Sequence, residues 1–154
     1  MTIRIRLATE SDRAFIRSLC TDVFSVYGDD YPQEIADNRF SRRDHTYFIA
    51  EDDSGPLGFA LVASSSGNPR ADLHAIAVDR SRQHQGVAQM LLAAAEAHAR
   101  TNRSTELHLV VAEVNTAGRN MFQRAGFIDL GPAQVGFRKG QRAPLMRKPL
   151  PPIT

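Results

Sequence analysis

Between an apolar hexapeptide and an alanine-rich run of helical period lies Gln83-His84-Gln85-Gly86-Val87-Ala88, and no other stretch constrains the fold as tightly. The residues before it, Leu73-His74-Ala75-Ile76-Ala77-Val78, are short, apolar and free of Gly and Pro, which predicts a buried strand. Those after it place Val87, Met90, Leu91, Ala94 and His98 at spacings of three and four among strong helix formers. The unit is therefore strand, basic turn, helix. A helix start presents backbone N–H groups without intrahelical partners, and the macrodipole adds partial positive charge there. The turn from Gln83 to Ala88 thus suits a phosphate or pyrophosphate. Gly86 permits close approach to the backbone, Ala88 keeps the next turn open, and Arg80 and Arg82 add charge beside it. Taken alone, the same residues also describe a tight connection with solvated basic side chains.

Around this unit the chain alternates strands and helices. Ile3, Ile5 and Leu7 alternate with Arg4 and Arg6 as a half-buried strand does. Thr9-Glu10-Ser11-Asp12 then opens a helix with Phe15, Ile16, Leu19, Val23 and Phe24 as its apolar stripe. Tyr27 to Pro32 breaks the pattern, and 33–40 reads as a short second helix. Its surroundings carry Asp29, Asp30, Glu34 and Asp37, which read as a solvated face or as acids able to draw in a cationic amine. Residues 47–50 and 57–63 form a hairpin across Asp52-Asp53-Ser54-Gly55-Pro56, and 72–78 is the fourth strand. After the central helix come a fifth strand over 107–114 and a helix opened by Asn115 and closed near Gly126. Two last strands follow, at Phe127-Ile128 and over 144–150, joined by a loop over 131–143.

At 154 residues, with 42% hydrophobic and 23% charged residues, the chain has enough apolar material for a core without disulfide or metal staples. One domain over 1–150 with a loose tail over 151–154 is expected. Cys20 is the only cysteine, which excludes an internal disulfide framework and fits a reducing cytoplasm. A formal charge of +2 spread along the chain does not make the clustered basic stripe of a nucleic-acid binder. The N-terminus lacks a secretory core, and no apolar run approaches the ~20 residues of a membrane span.

Gln83-x-x-Gly86-x-Ala88 after an Ile-Ala-Val strand end resembles the acyl-coenzyme A signature Q/R-x-x-G-x-G/A of the GCN5-related N-acetyltransferases (GNAT). Asn115 followed by Phe122-Gln123-Arg124-Ala125-Gly126-Phe127 is similar to that family's N-x-x-A-x-x-L-Y-x-x-x-G-F, with Gly118 for the inner Ala and Met121 for the Leu. The ending 145–150 resembles its last strand. The resemblance implies an α/β acyltransferase fold, a mixed and mostly antiparallel sheet of about seven strands flanked by about four helices. It implies acetyl-coenzyme A as cosubstrate, without metal, and acetyl transfer to a primary amine of a small molecule, a lysine or a protein N-terminus. Neither nucleic acid nor membrane is an expected partner, and a homodimer is among the assemblies it allows.

By that resemblance, backbone groups of Ile76, Ala77 and Val78 run along the pantetheine arm, the amides of Gln83, His84, Gln85, Gly86, Val87 and Ala88 hold the pyrophosphate, and Asn115 bonds the arm. Without it, Asn115 reads as a helix N-cap, and both roles can coexist. Where many relatives have Tyr as proton donor to the leaving thiolate this chain has Phe122, which packs against the arm or the core. Tyr27, Tyr31 or water could replace it, or the thiolate could leave unaided. Asp72, His74 and Glu113 are the candidates for a base, and a backbone N–H near Val78 for the oxyanion donor. The remaining histidines show no metal or triad spacing. Phe122 also motivates a different reading, a non-catalytic acyl-coenzyme A binding module. The P-loop and G-x-G-x-x-G patterns of nucleotide enzymes do not occur.

Overall fold

A computed structural model describes residues 2–24, 31–113, 115–132 and 143–152. Seven strands form one sheet, interleaved with four helices: β1 (Arg4–Leu7), α1 (Arg13–Val23), α2 (Tyr31–Gln33), β2 (His45–Asp52), β3 (Gly55–Ala63), β4 (Arg70–Val78), α3 (Val87–Thr101), β5 (Glu106–Val110), α4 (Thr116–Arg124), β6 (Ile128–Pro132) and β7 (Pro144–Pro149). Helix α2 runs directly into a π-helical turn, Glu34–Asn38. The spatial order is β1-β2-β3-β4-β5-β7-β6, antiparallel throughout except for β4 and β5. This is the mixed, mostly antiparallel sheet that the family resemblance implies. The residues from Tyr27 to Asp30, Val114 and the glycine-containing stretch 133–142 lie outside the described residues, as does the end of the tail at 153–154.

Apolar side chains settle on both faces. On one, Val87, Leu91, Leu92, Ala95 and Ala99 of α3 pack over Val62, Leu73, Val78, Leu107 and Met146. On the other, Ile16, Leu19 and Cys20 of α1 and Ile35 of the π-turn cover Tyr47, Ile49, Phe59, Leu61, Ala75 and Ala77. The buried stripe of α3 differs from the expected Met90, Ala94 and His98. Met90 is exposed, because an alanine-rich helix has two similar stripes and the sheet selects the one bearing adjacent leucines.

Strand β4 changes face midway. Leu61 pairs with Ala75 but Val62 pairs with Leu73, so His74 is the extra residue of a bulge. Before it, Ala71 and Leu73 face α3; beyond it, Ala75 and Ala77 face α1. The bulge carries the His74 ring to the α1 side, where it stacks on His45 with centroids 5.2 Å apart.

The parallel pairing is short. It joins Arg70–Leu73 to Glu106–Leu109 and then stops, while β4 continues along β3 to Val78. Strand β5 ends at Val110, four residues before the predicted end, because its partner β7 runs out there: Val110 opposes Leu145, and Val111 N–H reaches only the Pro144 carbonyl, at 3.1 Å. The two strands part, and a cleft opens between them.

Candidate active site

At the head of the cleft, Asp79 leaves β4 and its carboxylate accepts the Ser81 N–H at 2.9 Å, setting a 3-10 turn over Arg80–Arg82. His84 and Gly86 then take positive φ, +67° and +82°. Gly86 is the N-cap of α3, and its carbonyl accepts from Met90 N–H at 3.1 Å. The amides of Val87, Ala88 and Gln89 therefore precede the first intrahelical bond. A Cβ built on Gly86 would meet nothing within 4 Å, so the space against this backbone is open. Left-handed geometry, open space and orphan amides together make a cradle that fits a phosphate group.

The cradle is braced from the side. The Arg82 guanidinium donates to Asp52 Oδ2 at 2.5 Å and to Gln85 Oε1 at 3.1 Å. The Asp52 side chain is fully buried at the end of β2 and also accepts from Ser54 N–H and Oγ. Hydrogen bonds from Ser54, then from Arg82, lower its pKa to about 2. The sequence marks Arg82 only as positive charge beside the turn. Its partner Asp52 lies thirty residues upstream with no local signal.

The cleft, about 430 Å³, is walled by β4 on one side and by Leu109, Val110, Val111, Asn115 and Phe122 on the other. Asp79 N–H bonds the Leu57 carbonyl at 2.8 Å, and Val78 stands opposite Gly58. In an antiparallel ladder alternate residues turn their amide groups to opposite edges. Ala77 and Asp79 thus face β3, and Ile76 and Val78 present N–H and C=O toward β5. Ile76 lines the cleft; Val78 lies at its head, where its carbonyl accepts from Gln83 Nε2 at 3.3 Å. The contribution of Ala77 is its side chain, buried beneath α1.

Asn115 caps α4: its Oδ1 accepts Gly118 N–H at 3.0 Å while the residue lines the cleft. A Cβ on Gly118 would come within 2.6 Å of Asn115 Nδ2, so the missing methyl makes room for the folded-in amide. Phe122 is buried edge-on against Phe127, centroids 5.5 Å apart, with one flank on the cleft.

Of the three candidate bases, Asp72 and His74 line the cleft, whereas Glu113 is exposed in the turn before α4. Arg70 holds the Asp72 carboxylate at 2.9 Å. Burial first, and the positive charge of Arg39 second, push the His74 imidazole down to about 4, so it is neutral at pH 7. The same wall carries Glu34 and Arg39, paired at 2.9 Å, from the π-turn and its C-cap. Neither Arg39 nor Arg70 was singled out by the sequence. Arg70 and Asp72, two apart on a strand, share a face and could have been; Arg39 has no such signal. Of the alternative proton donors, Tyr27 and the Tyr31 side chain lie outside the described residues. Among the described residues no cluster of three or more His, Cys, Asp or Glu could hold a metal, and no helix is long and apolar enough to cross a membrane.

The sequence pattern of the acetyltransferase (GNAT) family matches residues 13–127. A search of curated proteins returns no match. Among solved structures, an acetyltransferase of the GNAT family from Desulfovibrio desulfuricans aligns with a TM-score of 0.82 at 21% identity, over 97% of this chain and 100% of its own. Ard1 from Thermoplasma volcanium gives 0.83 at 15%, over 98% and 99%. The PaiA N-acetyltransferase from Thermoplasma acidophilum, in complex with coenzyme A, gives 0.73 at 18%, over 97% and 99%. At these identities the likeness to the three structures is one of fold.

Proposed function

The chain belongs to the acetyltransferase (GNAT) family, and from that premise we propose that it transfers the acetyl group of acetyl-coenzyme A to a primary amine held in the cleft between β4 and β5. The observation that carries this reading is the parting of β4 from β5 directly below the Gly86 cradle. It leaves strand-edge amides where an extended pantetheine arm can pair as an added strand. The coenzyme complex of the PaiA relative supports the same choice of cosubstrate.

The residues divide the work. Amides from Gln83 to Ala88 would bind the pyrophosphate; the cleft-facing amide groups of Ile76 and Val78, with the Asn115 side chain, would bind the arm. Acetyl-coenzyme A supplies an activated thioester. The amine nitrogen forms the new C–N bond as the C–S bond breaks, a proton passes from nitrogen to water or carboxylate, and the thiolate takes a proton from solvent. Bringing both reactants into one cleft supplies much of the rate. For the carbonyl oxygen, the Ile76 amide, inside the cleft, is better placed than that of Val78 at its head. For the amine proton, a ring with a pKa near 4 is a weak base at pH 7, which leaves Asp72, acting through water, ahead of His74. Glu113, outside the cleft wall, is the least suited of the three. With Phe122 in the usual tyrosine position, solvent protonates the thiolate.

Titration calorimetry with acetyl-coenzyme A, followed by thiol release over a panel of amines, tests this. The expected result is micromolar binding and release with one amine class. Binding without release from any amine would instead favour the acyl-coenzyme A binding module that Phe122 motivates, and no binding would remove the reading altogether. Gly86→Glu should abolish binding while the fold survives: the side chain enters open space at the surface, puts a carboxylate where the phosphates belong and strains the left-handed position locally; unchanged affinity in a folded variant would refute the pyrophosphate assignment.

A further inference from the structure

The lining of the cleft carries two charges of each sign from two elements. The π-turn and its C-cap give Glu34 and Arg39, joined at 2.9 Å; the start of β4 gives Arg70 and Asp72, joined at 2.9 Å. All four keep between 22% and 50% of their side-chain surface exposed, so both pairs are open to a ligand. Arg39 is held in position. Its Nε donates to Glu34 and its Nη1 to His45 Nε2 at 3.1 Å, and His45 Nδ1 in turn donates to Asp44 at 2.9 Å, a tautomer assigned from this network. The π-turn is itself fastened, by a hydrogen bond from the buried Tyr47 hydroxyl to the Ile35 carbonyl. Single π-turns are frequent at functional positions.

We propose that the amine accepted in this cleft bears its own anionic group close to the nitrogen, so that the acceptor is a small zwitterion of amino-acid type, its anion received by Arg39 and Arg70 and its ammonium by Glu34 and Asp72. The proposal deepens the acetyl-transfer reading and rests on it. A simple cationic amine would satisfy the carboxylates but leave two guanidinium groups facing its charge, and a polyamine would meet more repulsion still. A planar guanidinium fork matches a carboxylate in two parallel hydrogen bonds, and a prepositioned fork loses little freedom on binding. The depressed His74 pKa agrees, since Arg39 contributes to it and a bound anion would relieve that positive environment. A peptide N-terminus offers an amide carbonyl in place of the anion and leaves the fork without its partner charge.

The experiment compares matched pairs in the presence of acetyl-coenzyme A: an α-amino acid, its decarboxylated amine and its amide, for example phenylalanine, 2-phenylethylamine and phenylalaninamide. Thiol release gives kcat and KM, and calorimetry on the coenzyme-loaded protein gives acceptor affinity separately. The amino acid should be preferred by roughly ten- to a hundredfold in kcat/KM, the range set by one or two charge-assisted contacts. Arg39→Gln and Arg70→Gln should each remove most of that preference by raising KM for the acid relative to KM for the decarboxylated amine. Arg70, half-exposed at a strand end, covers the case in which Arg39→Gln fails to fold. Equal or better use of the decarboxylated amine, of the amide or of peptide N-termini overturns the proposal while leaving acetyl transfer intact. Equal acceptor affinities by calorimetry overturn it even where no thiol is released. Failure to bind acetyl-coenzyme A would be the failure of the underlying reading instead.

Discussion

The Asp52 carboxylate reaches the loop before α3 through one intermediary, the Arg82 guanidinium, which it grips while Arg82 grips Gln85. A loop with two left-handed residues has many alternatives in solution, and a buried charge-assisted bond removes most of them. Asp52→Asn should therefore raise KM for acetyl-coenzyme A several-fold with kcat nearly unchanged; a fall in kcat alone in initial-rate measurements would contradict this. The pH dependence follows in sign. The folded pKa is about 2 against an ordinary 3.8, so the stabilisation is complete above the ordinary value and is lost as pH falls toward 2. Acid unfolding between pH 4 and 2 should be correspondingly shallower in Asp52→Asn. His74 works in a different window. Its ring takes a proton near pH 6.5 when unfolded but only near 4 when folded, so stability falls as pH drops between those values, by on the order of 2 kcal/mol. Thermal melts at pH 7 and pH 5 should differ less for His74→Gln than for the parent chain. Burial of His98, whose pKa is also lowered, leaves part of the slope in place.

Elements set what these residues can reach. Strand β3 passes so close to β4 that a Cβ on Gly58 would lie 2.5 Å from the Ala77 carbonyl oxygen and 3.3 Å from Leu91 Cδ1. The obstruction is backbone in a paired strand and cannot swing aside. Gly58→Ala should cost about 2–3 kcal/mol in denaturant unfolding, the range for overpacking, and should weaken coenzyme binding by displacing β4. A variant of parental stability would show that the strands part more easily than this packing implies. The bulge at His74 acts at the same scale. A strict alternation through 72–78 would set every second side chain on one face, yet the extra residue brings Asp72, His74, Ala75 and Ala77 all to the α1 side. The sequence shows a buried strand there, but a bulge depends on the partner strand's register and leaves no mark in the strand's own composition. Similarly, the 3.6-residue period of α3 is legible, whereas the choice between its two stripes belongs to the sheet.

Across the whole molecule, the two layers enclose the single thiol. Cys20 is buried under α1, and burial pushes its pKa up to about 12. A chromogenic disulfide reagent should react with it only at the rate of global opening and stoichiometrically in denaturant; rapid reaction in native buffer would mean that α1 detaches independently. The element order and the strand-turn-helix unit around Gly86 were readable from the sequence because each depends on neighbours in the chain: a buried strand, an orphaned helix start, and a glycine free to take the left-handed region. The mixed sheet was legible only through the family resemblance, since strand pairing joins residues far apart in the chain. The cleft was readable only in part. Asp72 and His74 could be named, since they belong to the strand that ends in that turn. Their surroundings could not: Glu34 and Arg39 come from a π-turn and its C-cap more than thirty residues upstream. Nor could the brace of the Gly86 turn, whose Asp52 comes from the end of β2. What the sequence by itself determined is the strand, turn and helix around Gly86, which one contiguous stretch of backbone builds. The charged lining of the cleft, with its two ion pairs and its depressed histidine, was decided by tertiary structure alone, because burial and the distance between charges exist only after separate elements have packed.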